Sequence, residues 1–132
     1  MRFLLDTNIV SDLVRHPRGR ISDCVSEVGE KDVCTSIVVA AELRYGATKK
    51  NSSRLTAQLE AVLGAIEVLA LETPADAVYG VIRAGLERTG QLIGANDLLI
   101  AAHALALGLT VVTDNEREFS RINGLRVENW LR

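Results

Sequence analysis

Two short apolar runs near opposite ends of the chain each stop at an acid, and that pairing constrains the fold more than any other feature. Residues 2–5 (RFLL) run into Asp6, and residues 109–113 (LTVVT) run into Asp114. A brief apolar, partly β-branched run closed by a turn residue reads as a strand buried on both faces. Between the two runs the apolar spacing is mostly helical. Ile9, Val10, Leu13 and Val14 share one face, and Ile21, Cys24, Val25 and Val28 share another. Residues 32–35 form a short strand, and Ser36 caps a helix expected to end near Gly46 and Ala47. A further helix opens at residues 51–53 and stops at Gly64, followed by a strand over 66–71. Thr73 and Pro74 read as the cap and first position of the next helix. The segment DLLIAAHALAL is apolar all round, so it is a buried helix, and Gly108 closes it. Residues 125–130 read as an edge strand. This alternation predicts an α/β/α sandwich around a central, mainly parallel sheet of four to five strands, in one domain spanning 1–132.

Composition narrows the function classes. The chain has 132 residues, 48% of them hydrophobic, which is enough for a core. A net charge of −2 argues against coating nucleic acid by bulk charge. Aromatic residues make up only 4%, so base stacking is not the main grip on any nucleic acid. The two cysteines, Cys24 and Cys34, lack disulfide or CxxC spacing. No apolar run is long enough for a signal-peptide core or a membrane span, so a cytoplasmic location is expected.

Chemistry concentrates in four acids. In an open parallel sheet, groups just past the carboxyl ends of the strands line the ligand crevice, which marks Asp6 and Asp114. Glu42 in IVVAAEL and Asp97 before LLIAAHALAL sit in apolar surroundings. An acid there is costly unless it is paired or bound to a cation. Carboxylates gathered in one crevice raise each other's pKa, and a hard divalent cation relieves that repulsion through oxygen ligands. Such a site can activate water and stabilise a phosphodiester in flight. No His/Cys set has zinc spacing. Two alternatives stand beside a metal-dependent nuclease. An aspartyl-phosphate enzyme wants a second acid where Asn8 stands. A non-enzymatic binding module on the same fold is the other. His103 lies six residues after Asp97, off its helical face, and reads as a core histidine. The basic residues Arg15, Arg18 and Arg20, and Arg44, Lys49, Lys50 and Arg54, form two clusters that suit phosphates or a solvated surface.

Four spaced segments, LLDTNIVSDL, TSIVVAAELRYGA, IGANDLLIAAHALALGLTVVTDN and REFSRINGLRVENW, resemble the PIN-domain toxins of the VapC family over essentially the whole chain. The resemblance implies a PIN-like fold and an Mg²⁺-dependent endoribonuclease, with Mn²⁺ as a possible substitute. It makes Asp6, Glu42, Asp97 and Asp114 the catalytic and metal-binding quartet, with Thr7 and Thr113 as flanking hydroxyls. It further implies a structured RNA substrate, with a tRNA foremost, and inhibition by a VapB-type antitoxin. Operator DNA would be bound only through the antitoxin complex. A homodimer is implied as well, helped by the apolar helices around 36–63. Arg15, Arg18, Arg44 and Lys49 are the candidate RNA contacts.

Overall fold

The protein is described here by a computed structural model covering residues 2–132. Strand β1 (Phe3–Leu5) leads into helices α1 (Thr7–Arg15) and α2 (Arg20–Val28). A short 3₁₀ turn precedes β2 (Val33–Ser36), and α3 (Ile37–Lys50), α4 (Ser53–Ala65) and β3 (Glu67–Leu69) follow. The second half holds α5 (Ala75–Arg88), α6 (Ala95–Leu107), β4 (Thr110–Val112), α7 (Glu116–Phe119) and β5 (Val127–Glu128).

The five strands lie in the order β3-β2-β1-β4-β5. Every neighbouring pair is parallel, as the alternating pattern predicts. The central strands are buried on both faces. Leu4 and Leu5 of β1 and Val111 and Val112 of β4 are all fully buried, so no apolar–polar alternation is seen. Helices α1 to α4 pack on one another, and α5 packs along α6. One hydrophobic cluster runs from Leu4 to Trp130. The chain moves outward from β1 through β2 to β3, then returns to the other side of β1 as β4. The strand order therefore reverses between β1 and β4, where open parallel sheets place their ligands.

The structure departs from the sequence expectations at three element ends. Helix α3 runs through Gly46 to Lys50, and Asn51 in the left-handed region (φ 51°) closes it. Asparagine tolerates that conformation, so it takes the stop assigned to Gly46. Helix α5 starts at Ala75, with Pro74 in the cap position and no side-chain cap. The Ala75 N–H donates to the Glu72 carbonyl at 3.0 Å, which leaves Thr73 nothing to cap there. Strand β5 is only two residues long. After Glu128 the Asn129 side chain accepts from the Leu131 N–H at 2.9 Å and turns the chain. Trp130 then folds back onto Phe3, with ring centroids 5.2 Å apart.

His103 lies within the core, as its place in α6 predicts, and is 1% exposed. Its Nδ1 is 2.9 Å from Ser36 Oγ, which also accepts from the Val38 N–H as the cap of α3. This contact ties the middle of α6 to the start of α3. Burial lowers the His103 pKa, so the ring is neutral in the fold. Replacing it removes a buried hydrogen bond and opens a cavity. His103→Ala is expected to cost about 2–4 kcal/mol of unfolding free energy, read from urea midpoints at constant m.

Candidate active site at the carboxyl ends of β1 and β4

The register Leu5↔Val112 sets Asp6 beside Thr113. Asp6 continues the ladder, its N–H donating to the Val112 carbonyl at 2.9 Å. Its side chain is 4% exposed. Oδ1 accepts from the Thr7 N–H at 2.7 Å, and Oδ2 accepts from the Thr113 hydroxyl at 2.8 Å. These bonds favour the ionised form, but burial outweighs them, and Glu42 adds repulsion. The Asp6 carboxyl is pushed up overall.

Thr7 has a second role. Its hydroxyl donates to Glu42 Oε1 at 2.8 Å, which fixes the α3 acid against the start of α1. Both threonines singled out in the sequence thus hold carboxylates. Asp97 lies in the first turn of α6, whose cap position is Gly94, so its carboxylate is not the cap. A Cβ on Gly94 would come 3.5 Å from Asp97 Oδ2, an ordinary contact that places the acid over the helix entrance. A helix N-terminus stabilises a carboxylate by about 0.3–1 kcal/mol. Here burial and the charges of Asp6, Glu118 and Glu42 prevail, and the Asp97 pKa rises to about 6.

Glu118 was not among the acids marked by the sequence. It sits on the single turn of α7, one turn after Asp114, with Oε2 accepting from Asn115 Nδ2 at 3.0 Å. The segment DNEREF carries acids at 114, 116 and 118. Only the direction of a four-residue helix separates them, which periodicity cannot supply at that length. Asp114 itself is exposed, and its Oδ1 accepts from Asn129 Nδ2 at 3.2 Å. The structure therefore groups Asp6, Glu42, Asp97 and Glu118 electrostatically and sets Asp114 at the rim.

The basic candidates separate in the same way. Arg44 is turned onto α4, with Nη2 2.9 Å from Glu60 Oε1. The Lys49 ammonium lies 5.9 Å from the Tyr45 ring centre. Arg20 donates to the Trp130 carbonyl at 2.7 Å and to the Arg132 carbonyl. Arg15 and Arg18 are exposed, and Arg15 makes one weak bond to the Ser11 carbonyl. A cleft of about 200 Å³ between α1, α3 and α4 is lined by both Arg15 and Glu42.

Residues 3–125 match the PIN domain. Over 99% of both chains, the sequence is 40% identical to Ribonuclease VapC2 of Haemophilus influenzae. The chain belongs to the VapC family of PIN-domain proteins. It is 37% identical to the tRNA(fMet)-specific endonuclease VapC of Shigella flexneri over 98% of each chain. The crystal structure of VapBC2 from Rickettsia felis, bound to a DNA fragment from their promoter, contains a chain that superposes with a TM-score of 0.91. That chain is 36% identical, and the match covers 98% of this protein and 99% of that chain.

This VapC-family site carries an electrostatic cost that pH should reveal. An acid whose folded pKa is raised penalises the fold only where the unfolded state is ionised. For Asp97 the penalty is absent below about pH 4 and grows as pH rises from about 4 to about 6. In metal-free protein, Asp97→Asn is therefore expected to raise the melting temperature at pH 7.5. The gain should shrink toward zero by pH 4, as followed by calorimetry at both pH values.

Proposed function

We propose that this protein is an endoribonuclease toxin that hydrolyses a phosphodiester in structured RNA and is held inactive by a VapB-type antitoxin. The observation that carries this reading is the crowding of Asp6, Glu42, Asp97 and Glu118 at the strand-order reversal, in a chain 37–40% identical to VapC ribonucleases over its full length. A tRNA is the first substrate to try, because the Shigella flexneri and Salmonella typhimurium relatives are tRNA(fMet)-specific endonucleases. Cleavage would remove a translation component.

The residues suit a hard divalent cation. Every donor is a carboxylate oxygen, and Asp6 and Asp97 are raised first by burial and then by neighbouring acids, with no cationic partner among the causes. Among the described residues, no three such side chains converge as a ready-made metal cage. Mg²⁺ keeps several waters and takes only one or two carboxylates from the protein, a demand these acids can meet. When bound, Mg²⁺ or Mn²⁺ lowers the pKa of water and offsets charge on the phosphoryl oxygens. The protein's own part is placement. Thr113 and the Thr7 N–H hold Asp6, the Thr7 hydroxyl holds Glu42, and the α6 entrance presents Asp97. Asp114, steadied by Asn129, stands where it can orient substrate or a water at the rim. Hydrolysis of this kind leaves a 5′-phosphate and a 3′-hydroxyl.

The antitoxin reading follows the VapBC complexes from Rickettsia felis and Salmonella typhimurium, both solved with DNA. Charge complementarity favours a basic antitoxin side chain among the acids, and operator DNA would be reached through that complex. A homodimer belongs to the same reading, and exposed apolar side chains stand both on the 36–63 helices, with Ile37 47% and Tyr45 66% exposed, and on α5, with Val81 73% exposed. No helix among the described residues is long and apolar enough to cross a membrane, which accords with a cytoplasmic role.

The deciding experiment uses purified, partner-free protein on total cellular RNA, with Mg²⁺ and with EDTA, followed by mapping of fragment ends. A discrete cut is expected, abolished by EDTA and reduced about 100-fold or more in Asp97→Asn. A 2′,3′-cyclic phosphate product, or cleavage untouched by EDTA, would overturn the metal-dependent reading. On the same substrate Glu118→Gln should cost more than Asp114→Asn. The reverse order would make Asp114 the fourth catalytic acid.

A further inference from the structure

The cleft between α1, α3 and α4 shares Glu42 with the acid crevice, yet nothing in the hydrolysis proposed above uses it. Val14, Leu43, Leu55 and Leu59 give it an aliphatic lining, and Gly46 lines it too. Arg15 and Lys50 line it as well, and both are exposed. Neither forms an ion pair among the described residues, whereas Arg2, Arg44, Arg83 and Arg132 each do. At about 200 Å³ the cleft falls below the roughly 300–1,000 Å³ typical of pockets for drug-sized ligands, which suits one planar ring system. Apolar walls with two free cations beside a phosphodiester-cutting centre match a single nucleotide. The base enters the apolar slot, and its phosphates meet the cations.

We propose that this cleft is a nucleobase subsite, holding the base of a nucleotide adjacent to the scissile phosphate, with Arg15 and Lys50 on the flanking phosphates. The inference rests on the endoribonuclease reading and deepens it. Because Glu42 belongs to both spaces, the base held is that of a nucleotide immediately 5′ or 3′ of the cut. An unstacked base in a loop can reach such a slot, whereas a base inside a helix cannot, so the subsite selects single-stranded loops of a folded RNA. With no aromatic residue in the walls, recognition comes from burial and shape.

Gly46 makes the proposal testable. A Cβ added there meets nothing within 4 Å, so the position opens onto free space. Gly46→Leu adds bulk at a residue that lines the slot, and leucine favours a helix more than glycine does. Gly46→Ala serves as the milder variant. Melting temperatures at or above that of the wild type would show both to be folded. The substrates are the RNA that the wild type cuts and the same RNA with an abasic ribose on either side of the cut. The wild type is expected to lose about 10- to 100-fold in kcat/KM on one of the abasic RNAs. Gly46→Leu should cut intact and abasic RNA at similar, low rates, with Gly46→Ala between. Equal wild-type rates on all three RNAs would overturn the subsite. So would a Gly46→Leu enzyme that keeps the wild-type preference, including one in which only antitoxin binding is weakened, which would give the cleft to the protein partner. If the wild type cuts no RNA under any condition, the endoribonuclease reading itself falls, and this inference with it.

Discussion

A carboxylate taken out of water needs partners, and Asp6 has them only because β1 and β4 pair as they do. Its two oxygens are served by the first N–H of α1 and by a hydroxyl that belongs to the far end of the chain. A one-residue slip of β4 would turn Thr113 to the other face and leave a buried acid with one bond. The register is held by the fully buried Leu4, Leu5, Val111 and Val112, so the core and the site are one construction. Even so, the two bonds do not offset burial, and the carboxyl remains harder to ionise than in water. The fold tolerates that cost at the point where the strand order reverses and little else competes for the space.

The same imbalance is repeated at Asp97, by a different route. There the backbone offers help through a helix entrance, but three neighbouring carboxylates oppose it. An exposed helix-end effect is worth less than the 1.36 kcal/mol of a single pKa unit in most settings, so burial, with like-charge repulsion added, decides the sign. Asp6 after β1, Glu118 on α7 and Glu42 from within α3 all bear electrostatically on Asp97 in the first turn of α6. Such an arrangement costs stability in the metal-free protein, which is the cost that a cation would offset in the proposed function.

Much of this was legible in the sequence because it is encoded locally. A strand three residues long that ends in an acid is visible as FLLD, and the all-apolar α6 announces a buried helix. Asp6, Glu42 and Asp97 stood out because an acid in an apolar stretch is costly wherever it lies. What escaped depends on pairings between distant residues. Gly46 marks a helix stop by propensity, yet α3 continues because its far turn packs against α4 and Asn51 supplies a better terminator. The pairing of Arg44 with Glu60, sixteen residues on, is likewise invisible in the sequence. Glu118 lies one turn after Asp114 in a helix too short for periodicity to read, so its influence on Asp97 is visible only in the folded chain.

An acidic crevice repels the polyanion it is proposed to cut, and a chain with a net charge of −2 has no bulk field to overcome that repulsion. Attraction has to be local and conditional. Cations bound among Asp6, Glu42, Asp97 and Glu118 would reverse the sign of the field at the cut, while Arg15 and Lys50 hold the strand on the flank. A basic antitoxin side chain placed among the same acids would satisfy them without a metal. The cation and the antitoxin would then compete for the same acids. Inhibition of that kind would require no conformational change in the protein, because displacing the cation removes the group that activates water while the antitoxin occupies the place of the RNA.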